Sequence, residues 1–410
     1  MRRAMAVNLR PPTELQPVPG IRIGTAVAGI RKKDRRDLVV IECARGTRAA
    51  AVFTQNRFCA APVLVAREHL AAAKPRALVI NTGFANAGTG EAGRQDAVAI
   101  CEALAQEIGT SATEVLPFST GVIGERLPVD RVTAGLPNCV ATLDESGWAD
   151  AAVGIMTTDT RPKGSSRRGQ IAGVGVTVTG IAKGAGMICP DMATMLSFVA
   201  TDALVSQAAL DALVRSAART SFNRITVDGD TSTNDSCVLL ATGRARNPVI
   251  DAPEGESYEL LHTLVAGVFT ELAQAIIRDA EGATKFITIE VCGGHDEDEC
   301  VEVARTIAHS PLVKTAFFAS DPNWGRILAA VGRARIARLD VGAVAIYING
   351  VCIARGGARA PEYTEAQGRM AMAQAEITLR VDLGTGPATA RVWTSDLSHE
   401  YIQINAEYRT

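Results

Sequence analysis

The six residues Met195–Ala200 (MLSFVA) turn apolar side chains to both faces of an extended chain. Such a strand is stable only when both faces are covered. That requirement favours a layered fold, and the surrounding sequence supplies the layers. RALVINTG (76–83), VGVTVTGIA (174–182), KFITIEV (285–291) and VGAVAIYING (341–350) read as strands. DAVAICEALAQEIG (96–109), with Gly109 as its stop, DALVSQAALDALVRSAART (202–220), with Thr201 or Asp202 as cap, and SYELLHTLVAGVFTELAQAIIRDA (257–280) have helical apolar spacing. Strands and helices in alternation predict an α/β fold with sheets packed between helices. The basic stretch RPKGSSRRGQ (161–170) reads as a surface loop.

At 410 residues the chain is long enough for two or more domains. It is 47% hydrophobic and 21% charged, so a sizeable core is available. A net charge of −2 offers no basic footprint for nucleic acid. No apolar stretch is read as reaching the roughly 18 residues of a membrane span, so no membrane contact is expected. Nine cysteines are scattered singly, without a C-x-x-C pair. They read as reduced, mostly buried thiols of a cytoplasmic protein. No secretory core follows the arginines of MRRAMAVNLRPP.

Several chemistry-bearing patterns are weak. GVGVTVTGIAKGAG lacks the spacing of a phosphate loop or a dinucleotide fingerprint. VDGDTSTNDS (227–236) has Thr233 where a calcium loop needs glycine, and reads as a polar loop bonding its own backbone. HDEDE (295–299) reads as a solvated loop, and five histidines without an H-x-x-x-H pair argue against zinc. There is no G-x-S-x-G elbow.

The remaining candidate is Thr194, which follows a loop of glycines and a proline and leads straight into MLSF. An internal hydroxyl at a bend can attack the preceding carbonyl, here that of Ala193, and convert the peptide to an ester. Hydrolysis then frees an α-amine on Thr194. That amine has a reference pKa of about 7.7–8.0, so near neutrality it can serve as the base for its own hydroxyl. By pattern alone, Ala-Thr in a turn is far more often structural.

The longer motifs decide otherwise. STGVIGERLP (119–128), MTTDTRPK (156–163), IAKGAGMICPDMATMLSF (181–198), FNRITVDGDTSTNDS (222–236), EGATK (281–285), SDPNWGRI (320–327) and YIQINAEYRT (401–410) resemble, in this order, the ornithine acetyltransferase family, glutamate N-acetyltransferases of arginine biosynthesis. The resemblance implies a layered α/β sandwich of the self-processing N-terminal-threonine type, with a second, smaller α/β lobe over about 285–410. It implies cleavage between Ala193 and Thr194 into an α chain 1–193 and a β chain 194–410, associated as α2β2. Thr194 would carry the acetyl group of N-acetylornithine as an ester and pass it to glutamate. Thr120 and Gly121 match the family's oxyanion hole, whose fixed donors suit a tetrahedral oxyanion. Thr160, Lys183, Glu281, Asn405 and Thr410 match substrate-contacting positions. Lys183, Thr160 and the Asn405/Thr410 pair suit the α-carboxylate, and Glu281 suits the side-chain ammonium. No cofactor and no metal are implied, and acetyl-CoA enters as co-substrate of a second activity that some relatives have. Cys189 stands where many relatives carry histidine. Two rival readings remain: a self-cleaving N-terminal-threonine amidase or aminopeptidase, and an uncut binding protein that has lost the chemistry.

Overall fold

The computed structural model describes residues 6–12, 14–189 and 195–407. The chain divides into two compact units. The larger comprises Arg10–Asn223 and Thr231–Ile276, and the smaller comprises Met1–Leu9, Arg224–Asp230 and Ile277–Thr410.

The larger unit contains two mixed sheets. One has the order β1 (Ile21–Ala26), β2 (Leu38–Cys43), β4 (Ala77–Phe84), β5 (Val115–Val122). The other has the order β3 (Arg48–Phe53), β10 (Ser236–Ala241), β8 (Leu196–Thr201), β7 (Val174–Lys183), β6 (Lys163–Ile171). Their inner faces share one core, with Val39, Ile80 and Phe118 from the first sheet and Ile181, Phe198 and Val238 from the second. The Phe118 and Phe198 rings meet edge to face across this core, centroids 5.0 Å apart. Helices Gly90–Ile108 and Val129–Ala141 share a second core with the outer face of the first sheet. On the second sheet, Leu264 of helix Glu256–Arg278 reaches Gly169 of β6, and its Val268 and Leu272 reach Gly180 of β7. The order is helix, sheet, sheet, helix, as the doubly apolar MLSFVA requires. All six residues of β8 are buried.

The smaller unit is built on one seven-stranded sheet. Its order is β14 (Ala358–Arg359), β13 (Val351–Arg355), β12 (Ala345–Ile348), β15 (Glu376–Asp382), β11 (Phe286–Gly294), β16 (Ala388–Ser395), β9 (Ile225–Thr226). Ile287, Ile289 and Val291, the alternating apolar residues of KFITIEV, enter its core with Val303 and Ile307 of helix Glu297–Ala308. The α/β class and the second, smaller α/β lobe are therefore present. All nine cysteines are free thiols.

Four expectations need correction. Residues 161–170 are not a loop: Lys163–Ile171 is β6, paired with β7 from Lys163↔Ala182 to Ile171↔Val174. Strand pairing can keep the charges on the solvent face; Arg167, for example, forms an exposed ion pair with Glu271 at 2.6 Å. Helix 202–220 starts later, at Gln207, with Ser206 as its cap. Asp202 is unavailable because its carboxylate accepts the Thr177 N–H at 2.8 Å. HDEDE is a helix start: Asp296 caps Glu297–Ala308, and three carboxylates sit in its first turn, where the helix dipole favours them. Helix Glu256–Arg278 is long and apolar enough to span a membrane by length and composition alone, yet half of that apolar window is buried inside the protein. Its apolar character is explained by packing on β6 and β7.

Candidate active site

The two sheets of the larger unit bring distant sequence motifs together at one end. Thr120 lies on β5 of the first sheet, and Lys183 ends β7 of the second. The Lys183 ammonium donates to Thr120 Oγ1 at 3.1 Å. Lys183 is level with Leu196, the first residue of β8, so this contact marks the start of the strand that follows Thr194 in sequence. Ala193, Thr194 and Thr410 lie outside the described residues.

Gly121 is fixed by sterics. It is level with Gly83 on the parallel neighbour β4, where a bulge at Phe84 breaks the register. Its φ is +138°, and a Cβ there would fall 2.2 Å from the Gly83 carbonyl carbon. Only glycine lets the two backbones approach this closely. A valine here would drive its side chain into the neighbouring strand.

A buried polar network holds the same strand ends. Asn234 Nδ2 donates to the Ala85 carbonyl at 2.6 Å and to the Ser119 carbonyl at 2.9 Å. Thr233 Oγ1 donates to Asn234 Oδ1 at 2.6 Å. Ser119 Oγ donates to Asn81 Oδ1 at 2.5 Å, and Asn81 Nδ2 to the Phe84 carbonyl at 3.0 Å. Because the peptide unit is planar and trans, fixing the Ser119 carbonyl turns the Thr120 N–H the opposite way.

The charges at this corner have an internal balance. Asp159, in the TTDT stretch, is buried and accepts Lys163 Nζ at 2.6 Å and the Gly184 N–H at 2.7 Å through Oδ1. Its Oδ2 accepts the Thr157 N–H at 3.0 Å. Burial by itself would raise the Asp159 carboxyl, but Lys163, Lys183 and the Gly184 N–H together hold it well below the usual carboxylate range. Lys163 has a fully buried side chain, a placement stable for an ammonium only beside such a partner. Thr160, expected at the substrate, is exposed; the buried member of its motif is Asp159.

In the smaller unit, Glu281 and Asn405, more than a hundred residues apart, meet: Asn405 Nδ2 donates to Glu281 Oε2 at 2.8 Å. Glu281 occupies the turn before β11, which a second set of bonds secures. Asp396 accepts the Thr284 N–H at 2.8 Å and the Lys285 N–H at 2.9 Å. Ser398 Oγ donates to the Gly282 carbonyl at 2.6 Å. Gly282 has φ +68° and no room for a Cβ, which would meet Ser398 Oγ at 2.6 Å. Nearby, Tyr401 OH donates to Asp228 at 3.2 Å.

Comparison with known proteins fixes the lineage. The ArgJ family model matches residues 22–410. The chain belongs to the ArgJ family. It is 56% identical over 406 residues to the arginine biosynthesis bifunctional protein ArgJ of Pseudomonas syringae pv. tomato, covering 99% of this chain and 100% of that protein. It is 59% identical over 396 residues to the protein of the same name from Methylococcus capsulatus, covering 97% of each. Among solved structures, the ornithine acetyltransferase of Mycobacterium tuberculosis, complexed with ornithine, is 37% identical and covers 43% of this chain and 93% of that one, with a TM-score of 0.38. Against this family background, sequence reading had missed Asp159, Lys163, Asn234 and Asp235. It took 227–236 for a polar loop bonding itself. Ser232 Oγ does accept the Asn234 N–H at 3.2 Å, and Ser232 also bonds the Asp235 carboxyl, but both residues are buried and Asn234 reaches out of the loop to the Ser119 carbonyl of β5. The available signal was an Asn-Asp pair directly before the apolar SCVLLA, where a solvated loop should already have ended.

Proposed function

We propose that this chain is an autoprocessed acetyltransferase that moves the acetyl group of N-acetylornithine to glutamate in arginine biosynthesis. The observation that carries this reading is relatedness over nearly the whole chain to proteins named arginine biosynthesis bifunctional protein ArgJ. The K-G-A-G-M-I-C-P-D-M-A-T-M-L run and the Lys183–Thr120 contact support it.

In the first step Thr194 Oγ adds to the Ala193 carbonyl carbon, the C–N bond breaks, and the nitrogen keeps its electron pair and takes a proton. Water hydrolyses the resulting ester, giving chains 1–193 and 194–410, which stay associated as α2β2. The new α-amine then accepts the Thr194 hydroxyl proton as Oγ attacks the acetyl carbon of N-acetylornithine. The ornithine amine leaves with a proton, and an acetyl ester remains on Thr194. The glutamate amine attacks that ester and restores the hydroxyl. Thr120 and Gly121 donate to the oxyanion of each tetrahedral intermediate, where fixed donors in a dry site act most strongly. Lys183 and Thr160, with Asn405 and Thr410, take the α-carboxylate, and Glu281 takes the ornithine ammonium. The exchange trades one N-acetyl amino acid for another and needs no cofactor. The word bifunctional in the relatives' names supports a second activity, acetylation of glutamate with acetyl-CoA as donor. The enzyme works in the cytoplasm.

Intact-mass analysis and incubation with N-acetylornithine test this reading. The expected result is two chains, the second beginning Thr-Met-Leu-Ser, and ornithine release that depends on glutamate. Release that ignores glutamate would assign an amidase instead. Thr194→Ala is expected to remain one chain and to transfer nothing; normal turnover by that variant would remove Thr194 from the mechanism.

A further inference from the structure

Strands β6 and β7 form a hairpin that turns at Ala172-Gly173, both at positive φ. Its open end lies at the far side, where Lys163 is level with Ala182. Thr160 precedes one strand there and Lys183 ends the other. The end of β7 is held on its second side by β8, Lys183 being level with Leu196. β6 is at the edge of the sheet, and among the described residues no strand pairs with its outer side. Such a strand end frays unless something ties it to its neighbour.

The buried Asp159 carboxylate is that tie. Its Oδ1 accepts the N–H of Gly184, the residue after Lys183, at 2.7 Å. Its Oδ2 accepts the Thr157 N–H at 3.0 Å and so closes the bend directly before Thr160. Backbone donors bind an ionised carboxylate strongly, so both segments are fixed to one small group. Lys163 Nζ, 2.6 Å from Oδ1, balances the charge and also donates to the Arg161 carbonyl at 3.3 Å. Gly184 has φ +150°, and a Cβ there would meet Ile188 at 2.9 Å. The chain therefore leaves β7 through a joint with glycine's freedom, and Asp159 removes that freedom.

Asp159 itself is only 6% exposed, whereas its neighbour Thr160 is exposed and Lys183 reaches Thr120 Oγ1. It acts behind the site through the backbone of both segments. We propose that Asp159 is a positioning residue that fixes the spacing between Thr160 and Lys183, and so sets the width of the seat for the substrate's α-carboxylate. Loss of either backbone bond lets one side of the seat move. Affinity for a carboxylate then falls, while a ligand that makes no use of the seat is spared. This rests on the assignment of Thr160 and Lys183 to the α-carboxylate made under Proposed function.

The test compares ornithine with ornithinamide, the same diamine with a neutral amide in place of the carboxylate. Calorimetric affinities for both are measured in the wild type and two variants. Lys163→Met keeps both backbone bonds to Asp159. Asp159→Asn combined with Lys163→Met leaves no unbalanced buried charge, yet offers one acceptor oxygen in place of two. The preference for ornithine is expected to persist within about twofold in Lys163→Met. In the double variant it is expected to fall about tenfold, equivalent to about 1.4 kcal/mol, with ornithinamide affinity held within about twofold. An unchanged preference, equal weakening of both ligands, or a fall of the same size in Lys163→Met each overturns the proposal. Hydrogen exchange of the wild type gives a reading that needs no folded variant. The Thr157 and Gly184 amides should be protected in the free protein and slowed further by ornithine but not by ornithinamide. Amides that exchange freely, or that respond alike to the two ligands, overturn the proposal as well. A wild type with no preference for ornithine would sink the assignment of Lys183 to the carboxylate, and this proposal with it. A protein that shows the full pattern yet moves no acetyl group would sink the transferase reading and leave Asp159 as assigned.

Discussion

The Lys183 corner and the Glu281 turn are built on opposite principles. At the Lys183 corner, charged groups are packed where water does not reach: Lys163 and Asp159 are both fully buried and pair at 2.6 Å. Two strand ends there approach so closely that no side chain fits at Gly121. At the Glu281 turn the carboxylate is met by a neutral amide, and the turn is secured by a hydrogen bond from the Thr284 N–H to Asp396 and one from Ser398 to the Gly282 carbonyl. A cation corner assembled from buried ions depends on each partner for folding, because removing one leaves the other uncompensated in a poor dielectric. A carboxylate on a braced turn can lose its charge with little effect on the fold. The difference teaches that stability and substrate affinity should separate between the two places, and mutation can test this.

Gly121→Val should have the largest effect. It forces a side chain into the β4 backbone at a φ that valine avoids, and a loss above about 4 kcal/mol is expected, enough to prevent folding in many domains. A folded, normally melting variant in denaturant titration would show that the strands can separate without cost. Lys163→Met follows, at about 3–5 kcal/mol, because Asp159 keeps a buried charge without its nearest cation. Its pH dependence has a definite sign. The Asp159 carboxyl is held low in the folded protein, so the pair contributes stability above the ordinary carboxylate range and loses it as pH falls through the lowered folded value. The gap between wild type and variant should therefore be widest near neutrality and close under strong acid, and adding Asp159→Asn should recover part of it. A gap that does not vary with pH would assign the loss to packing.

Glu281→Gln sharpens the contrast from the other side. It should leave the unfolding free energy within about 0.5 kcal/mol of the wild type and weaken ornithine affinity by about ten- to thirtyfold, the magnitude of one charge-assisted bond. A large drop in stability would mean that the turn shares the character of the Lys183 corner. Asn234→Asp should have the smallest effect, about tenfold in kcat with KM held, since a carboxylate cannot donate to the Ser119 and Ala85 carbonyls. Partial recovery at lower pH, where the acid regains one donor, would distinguish lost orientation of Thr120 from lost packing.

Much of the fold was legible in local pattern. The apolar face counts of MLSFVA, VGVTVTGIA and KFITIEV gave β8, β7 and β11, because burial on one face or two leaves a period in the sequence. Residues 161–170 failed because a strand with one solvated face can be as basic and small as a loop. The candidate site was legible as a set of motifs, and Glu281 with Asn405 and Thr120 with Lys183 do meet. Asp159 was not legible, since nothing in TTDT reveals which polar residue turns inward, and Asn234 left only its place directly before SCVLLA as a signal.

By itself the sequence determined the elements, the layer order and the hydroxyl that follows the Gly-Pro loop, since each is written in neighbouring residues through side-chain periodicity and backbone preference. Tertiary structure alone decided which charges share a buried space. That choice depends on strand register: Lys163 beside Ala182, Lys183 beside Leu196 and Leu196 beside Ser236 bring two lysines and two aspartates from three separate motifs to one end of a sheet. Electrostatic energy is set by distance and dielectric, and neither is local in the chain.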